Sequence, residues 1–187
     1  MRQAHHMTID RALLLYILHL MEPHGLLNDV RLQQLAFLCE LQLFSKGYRT
    51  LHFEFFRFAY GAFSKDLDND LLSLRRKDKI ENFSVTEQVV EDVIPLVTGG
   101  GGGHDANQKS LEIIQAVVGT YGPQDTTEIT KSVEAVELTT PEKPDFKIPI
   151  RDIVFHTTML VPHRIEVKEE FTFSSQELAK LNKLMGY

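Results

Sequence analysis

Residues 51–80, LHFEFFRFAYGAFSKDLDNDLLSLRRKDKI, guide the interpretation of the whole chain. Apolar and polar residues alternate over positions 51–56, which predicts a short extended segment. The YGAFS sequence at 60–64 predicts a tight turn, and leucines at helical spacing from 67 to 74 predict a charged helix after it. Six Phe and Tyr residues lie between positions 53 and 63. We therefore expect a helical protein with an aromatic hub, a pattern that does not by itself specify an activity.

Length and composition are those of an ordinary globular protein. The 187 residues, 43% hydrophobic and 25% charged, suffice for one core, or for one core with an appended element. A net charge of −6 argues against a bulk electrostatic hold on nucleic acid, which needs clustered Lys and Arg. The single cysteine, Cys39, lies among apolar residues, so we expect a buried, reduced thiol.

The beginning of the chain shows neither a secretion signal nor a membrane span. The apolar run at 13–21 is too short to cross a bilayer and is interrupted by His19. We expect a cytoplasmic protein that does not engage a membrane.

The capping and periodicity signals predict a mainly α fold, α+β with a small β element, in a compact domain of about six to eight helices. In the first half of the chain we predict helix 9–21 capped by Thr8, a helix from Asn28 or Asp29 ended by Gly47, a helix capped by Ser64, a strand at 80–85 and a helix to about 94 opened by a Ser84/Glu87 capping box. In the second half we predict helices 111–121 and 126–138, an irregular crossing at 141–149, an alternating strand at 165–173 and a last helix capped by Ser174 with Glu177. Residues 150–160 fit either helix or strand.

A run of five glycines at 99–103 predicts a flexible connector. We divide the chain into an N-terminal helical part with the aromatic hub at 1–98, a glycine-rich connector at 99–109 and a C-terminal helical part at 110–187. The two helical parts are expected to pack together as one domain.

Catalytic and metal-binding motifs are absent from the sequence. The segment GHDANQKS at 103–110 resembles a phosphate-binding loop, but Gln108 replaces the second glycine, so a loop followed by a helix start is favoured. The eight histidines include no pair at metal-ligand spacing. We predict a protein that is not an enzyme and has no catalytic residue, no metal and no cofactor.

DNA binding stays open as an alternative. Helices 111–121 and 126–138, with the turn between them, have helix-turn-helix proportions. Against base reading, the second helix carries Glu128, Glu134 and Glu137 beside one Lys131. The basic residues at 75–79 offer a second candidate contact, diluted by Asp78.

The aromatic hub fits either a core or an exposed patch for a protein partner. Aromatic residues and arginine are enriched in the centres of interfaces. We select five residues as the partner-binding surface: Phe55, Phe56, Arg57, Phe58 and Tyr60.

Two motifs carry a family resemblance, RLQQLAFL at 31–38 and FAYGAFSKDL at 58–67, followed by the leucine-rich helix that ends near Ile80. Together they resemble the SocA-like, or Panacea, antitoxin domain and its YwgA-like relatives over roughly residues 9–155. Arg31, Ala62 and Lys79 depart from the family pattern. The positions that match the motif are Leu32, Gln33, Leu35, Tyr60, Gly61, Phe63, Ser64 and Leu67, most of them expected to be structural.

The resemblance implies a helical, non-enzymatic binding module found in toxin–antitoxin pairs and prophage regions. Such a module neutralises a toxin by binding it, or delivers it to a protease. A protein partner, such as a cognate toxin, is therefore expected, nucleic acid is not favoured, and a homodimer stays open.

Overall fold

The computed structural model describes residues 2–99, 104–140 and 142–187. Its α-helices are α1 (Ala4–Met21), α2 (Asp29–Ser45), α3 (Lys65–Arg76), α4 (Glu87–Asp92), α5 (Ile94–Gly99), α6 (Asp105–Tyr121), α7 (Thr126–Glu134) and α8 (Ser175–Met185). Its strands are β1 (Tyr48–Arg49), β2 (Phe55–Phe58), β3 (Gly61–Phe63), β4 (Ile80–Glu81), β5 (Ser84–Val85), β6 (Glu137–Thr140), β7 (Lys143–Pro149), β8 (Thr158–Leu160) and β9 (Glu169–Glu170). The expectation of a mainly α protein with some β structure is confirmed.

Helix α1 lies at the centre of the fold. Its residues from Ala12 to Leu18 are buried on every side of the helix, which is the arrangement expected for a helix with an apolar circumference. Helices α3, α5, α6 and α8 pack around it. Buried residues from both sides of the glycine run, such as Leu32 and Ile114, belong to one hydrophobic cluster.

The predicted caps of α2, α3 and α8 are confirmed. The Asn28 side chain accepts a hydrogen bond from the backbone N–H of Arg31 (2.9 Å), and the Ser64 hydroxyl accepts one from Leu67 (3.4 Å). Ser174 and Glu177 form the capping box that opens α8. Gly47 follows α2 with φ +87°, the left-handed conformation that favours glycine.

Two predicted helix starts are wrong. Helix α1 begins at Ala4, not after Thr8, and the buried Thr8 hydroxyl instead donates to the side chain of Asn182 in α8 (2.8 Å). Ser84 lies in strand β5, and Thr86 occupies the N-cap position of α4. The local sequence favoured both residues as caps. In the structure Thr8 makes a tertiary contact instead, and Ser84 pairs within a strand.

The second half of the chain differs more from expectation. Helix α6 begins at Asp105. Residues 105–110 of the segment that resembles a phosphate-binding loop therefore form the first turns of this helix. Helix α7 ends at Glu134, and β6 and β7 pair as an antiparallel hairpin in place of the irregular crossing. The hairpin provides hydrogen-bond partners for a backbone whose prolines exclude a helix. The connector prediction for 99–103 falls mostly on residues 100–103, outside the described residues.

The segment after β7 resolves the ambiguity at 150–160. It begins with a 3₁₀ turn at Ile150–Asp152 and ends in β8, which joins β2. Residues 165–167 are not a strand; β9 follows them and pairs in parallel with β1. Phe171 and Phe173 are nevertheless buried, at 1% and 8% exposure.

No helix in the described ranges combines the length and apolar character needed to cross a membrane. Cys39 is fully buried, and its burial raises the pKa of the thiol.

Candidate functional site

Strand β2 divides the aromatic hub between two sides of a small sheet. It lies between β3 and β8, antiparallel to both, with Phe56 opposite Phe63 and Phe58 opposite Gly61. Because side chains alternate along a strand, Phe55 and Arg57 point inward while Phe56 and Phe58 point outward. The same sequence run therefore fills the core with one parity and covers a surface with the other.

The outward side chains form a surface that we call the outer aromatic face: Phe56, Phe58, Phe63 and His156. The Phe56 and Phe63 ring centroids are 5.4 Å apart, and those of Phe58 and Phe63 are 5.3 Å apart. The His156 ring lies 6.4 Å from Phe56 and 6.2 Å from Phe58. These separations are in the range of favourable aromatic pairs, so the rings hold one another in place.

Further apolar groups are exposed in the loops that bound this sheet. Tyr60, in the turn between β2 and β3, is 59% exposed, and Phe155, just ahead of β8, is 56% exposed. Val154 is 76% exposed and Phe58 itself 37%. Clusters of exposed large apolar side chains of this kind mark interaction surfaces more often than scattered single residues do.

Arg57 fixes the geometry of the sheet from behind. Its guanidinium donates to the Glu134 carboxylate of α7 (2.9 Å) and to the Gly61 carbonyl (3.3 Å), and it also contacts the Phe58 carbonyl. It lies 5.1 Å from the centroid of the exposed Phe155 ring. Arg57 is 4% exposed, so it supports the surface but is not available on it.

Of the five residues selected from the sequence as partner-binding, the structure leaves three accessible. Phe56, Phe58 and Tyr60 reach the surface, whereas Phe55 is fully buried and Arg57 is nearly so. A direct role for Phe55 or Arg57 in contacting a partner does not fit these positions.

The two sequence motifs contact each other directly. The Gln33 side chain accepts from the backbone N–H of Ser64 (2.8 Å) and donates to its carbonyl (3.1 Å). The Gln34 side chain does the same to Ala62, at 2.9 and 3.0 Å. A Cβ at Gly61, where φ is +94°, would collide with the carboxamide oxygen of Gln34. Two neighbouring glutamines of α2 thus hold β3 and the start of α3.

The remaining motif residues lie beneath this arrangement. Leu32, Leu35 and Leu67 are buried in the core, and Ser64 caps α3. Phe63 belongs to the outer aromatic face. The hydrogen-bonding roles of Gln33 and Gln34 were not predicted from the sequence. A signal was present, because two adjacent amides within an apolar helix require hydrogen-bond partners.

A second feature, absent from the sequence-based expectations, is a group of charged side chains inside the protein. We call it the buried ionic cluster: Arg2, Asp10, Arg11, His52 and Asp70. Arg2 contacts Asp10 (2.9 Å) and Asp70 (2.6 Å), and Arg11 donates to Asp70 (2.8 Å). Asp10 also accepts from the His52 backbone N–H (3.0 Å) and contacts its Nδ1 (2.9 Å). Asp10 is 0% exposed and Asp70 2%.

Electrostatics in and around this cluster are strongly perturbed. Burial raises the pKa of Glu40 well above its usual range, with the nearby Asp10 adding to the effect. One Glu40 oxygen accepts from the Phe53 backbone N–H (2.9 Å), while the other has no hydrogen-bond partner. Burial, with the neighbouring His52 and His5, lowers the pKa of His6 to about 4.

The sequence signal for this cluster was weak. Asp10 interrupts an otherwise apolar helix, which marks it as a residue needing a partner, but the other members lie as far away as position 70. Among the described residues, no group of three or more His, Cys, Asp and Glu side chains is arranged to hold a metal ion.

No model of a known protein family matches this chain, and neither does any curated protein or solved structure. The likeness to SocA-like domains thus stays a prediction based on the two motifs.

Proposed function

We infer that this protein is a non-enzymatic binding module of the SocA/Panacea antitoxin type, which neutralises or delivers a toxin-like partner protein. The observation that carries this proposal is the outer aromatic face. Three phenylalanine rings and an imidazole lie side by side on a sheet whose other side is anchored in the core. A rigid aromatic surface loses little conformational freedom on binding, which favours a protein partner.

The surroundings of the face supply the other properties of an interface. Exposed Tyr60 and Phe155 extend its apolar area, and Tyr also carries a hydroxyl for hydrogen bonding at a rim. The Arg57–Glu134 ion pair and the Gln34 contacts keep the turn in one conformation before a partner arrives. Binding would cover the aromatic face and act by occlusion of the partner.

The test compares three forms of the full chain in affinity capture from native host lysate. They are the wild type, the double variant Phe58→Ser/Tyr60→Ser, and the control Leu26→Ser. Leu26 is 92% exposed and outside the aromatic face, so the control removes an apolar group that is even more exposed than Phe58 and Tyr60. We expect one stoichiometric protein to be captured by the wild type and the control and to be lost from the double variant.

Captured protein is then purified and mixed with each form at low and moderately high salt. Retained binding by a folded double variant would exclude the outer aromatic face as the contact surface. Loss of toxicity on co-expression with the wild type, but not with the double variant, would identify the partner as a toxin.

DNA binding is the alternative, and the helix arrangement does not strengthen it. The side chains exposed on α7 include Thr127, Glu128 and Lys131, and Glu134 is engaged by Arg57. This helix offers one cation for phosphates or base edges. Capture that disappears with nuclease and with rising salt would favour the regulator over the binding module.

A further inference from the structure

A pocket of about 220 Å³ opens beside the buried ionic cluster, and none of its lining residues belongs to the outer aromatic face. Its charged and titratable lining consists of two arginines, three histidines and one glutamate: Arg2, Arg49, His6, His52, His163 and Glu54. The two arginines and His52 thus bring hydrogen-bond donors together in a chain whose net charge is −6, beside Glu54 and the carboxylates that pair with both arginines. The volume of the pocket suits a small ligand or the headgroup of a larger one.

His52 is held in a defined orientation at this pocket. Asp10 contacts its Nδ1 at 2.9 Å, and the His6 ring stacks on it with centroids 4.0 Å apart and an interplanar angle of 10°. Since Nδ1 is occupied by a carboxylate, Nε2 is the ring nitrogen left for a ligand. A carboxylate behind an imidazole stabilises the imidazolium form when an anion approaches from the other side.

The two arginines are fixed as well. Arg49 donates to the carbonyls of Pro162 (3.3 Å) and Ile165 (2.5 Å) and pairs with Glu170. The Arg2 side chain is 9% exposed, and its Nε–H makes no hydrogen bond, although the Asp66 carboxylate lies 3.3 Å away. Arg2 therefore lines the pocket as a cation that the carboxylates of Asp10, Asp66 and Asp70 hold in position.

We propose that this pocket binds a small oxyanion, the phosphate group of a metabolite or free phosphate, with uptake of a proton by His52. The anion would accept hydrogen bonds from His52 Nε2–H and from arginine. Asp10 would remain on the opposite side of the ring, so the imidazolium lies between two negative groups. No bond in the ligand is made or broken.

The groups around His52 determine how binding depends on pH. They are Asp10 and His6 on α1, Arg2 ahead of that helix, Arg49 on β1, Glu54 two residues after His52, and His163 in the turn after β8, with Glu40 of α2 near Asp10. Glu54 opposes an anion, and it lies 3.7 Å from His163 at the mouth of the pocket. Proton uptake makes the oxyanion bind more tightly as pH falls, and removal of the Glu54 charge should strengthen binding further.

The experiment titrates inorganic sulfate and phosphate into the ¹⁵N-labelled full chain at pH 6 and pH 8, with amide and imidazole resonances as the readout. Sulfate keeps its charge over this range, so its pH dependence reports the protein alone. We expect saturable shifts at 49–54 and 162–163, and sulfate affinity about tenfold higher at pH 6, the effect of one charge-assisted hydrogen bond. Calorimetry in two buffers of different ionisation enthalpy should show proton uptake.

Variants distinguish binding of the anion in this pocket from general attraction of the anion to cationic side chains. His52→Gln should weaken sulfate binding about tenfold or more and remove its pH dependence, whereas Glu54→Gln should tighten it. Lys46→Gln, an exposed cation outside this pocket, should leave it unchanged. Should His52→Gln fail to fold, His163→Gln is used instead, with a smaller loss expected.

Tighter binding of a nucleoside monophosphate than of phosphate would identify a phosphorylated metabolite as the ligand, and equal binding would identify the free anion. Non-saturable shifts, or equal shifts in His52→Gln and the wild type, would overturn the proposal. The Phe58→Ser/Tyr60→Ser variant should bind sulfate normally, so failure here and failure of the protein-binding proposal are distinguishable.

Discussion

The outer aromatic face and the buried ionic cluster invert the usual placement of side chains. One exposes phenylalanine rings on the surface, and the other encloses Asp10 and Asp70 at 0% and 2% exposure. They are only a few residues apart in the chain, since His52 belongs to the cluster and Phe56 to the face. The cluster pairs its charges within the protein, whereas the rings of the face pair with one another at the surface. The comparison indicates that the cluster already has most of its contacts within the protein, whereas the outward rings of the face stay open to the protein partner that we propose.

The largest expected effect comes from breaking the cluster. Asp10→Ala removes one of the two carboxylate acceptors of the Arg2 guanidinium and the acceptor for the His52 backbone N–H and ring, and it leaves Arg2 and Arg11 to share Asp70 as their buried counterion. We expect a loss of about 5 kcal/mol in the free energy of unfolding, measured by urea denaturation. Asp66→Ala is the control, because its carboxylate is 44% exposed and should contribute under about 1 kcal/mol. Equal effects of the two variants would contradict this account of the cluster.

A second prediction divides the aromatic hub at a single strand. Phe55→Ala should lower the free energy of unfolding by about 4 kcal/mol because the ring is fully buried. Phe58→Ala, on the opposite side of the same strand, should cost about 1 kcal/mol or less because its ring is 37% exposed. Thermal or urea unfolding of both variants checks this. Similar losses would mean that the outer aromatic face is energetically part of the core.

The smallest expected effect concerns pH. His6 has a pKa of about 4 in the fold against 6.5 for the free group, so the unfolded chain binds more protons between these values. Its contribution therefore destabilises the fold as pH falls from about 6.5 to about 4. His6→Gln should reduce that loss by under about 1 kcal/mol, since solvent screens a ring that is only partly buried. Unfolding measured at pH 7, 5.5 and 4.5 tests this, with His24→Gln as the control. If His6→Gln lost more unfolding free energy on acidification than the wild type does, the sign of the predicted His6 contribution would be wrong.

Local signals predicted much of the helical fold. Asn28, Ser64 and Ser174 each lie before an apolar run at helical spacing, and each caps a helix in the structure. Such caps depend on residues within one turn, so sequence alone is informative there. Thr8 shows the limit of such local prediction. Its side chain could also cap a helix, but in the structure it makes a long-range hydrogen bond to Asn182.

The site was predicted less completely for a related reason. Alternation at 53–58 indicated two sides of a strand, but it did not identify which side faces the core. Packing against α2 and α7 decides that, and it places Phe55 and Arg57 inside. The buried ionic cluster joins residues as distant as Arg2 and Asp70, a closeness that no local pattern encodes.

The contacts of Gln33 and Gln34 have a consequence for how this surface can change. Toward β3 and the start of α3, both amides bind the backbone of residues 62 and 64, and Gln34 also donates to the Val30 carbonyl within α2 (3.2 Å), so these bonds do not depend on which side chains positions 62 and 64 carry. Gly61 must be kept because it leaves room for Gln34. With Gly61 in place, the outward aromatic residues of β2 and β3 can be replaced by other residues while the glutamine–backbone hydrogen bonds stay intact. On the function that we propose, the same scaffold would acquire new protein partners through surface substitutions alone, and a library randomised at 56, 58, 60 and 63 would be a direct way to redirect it.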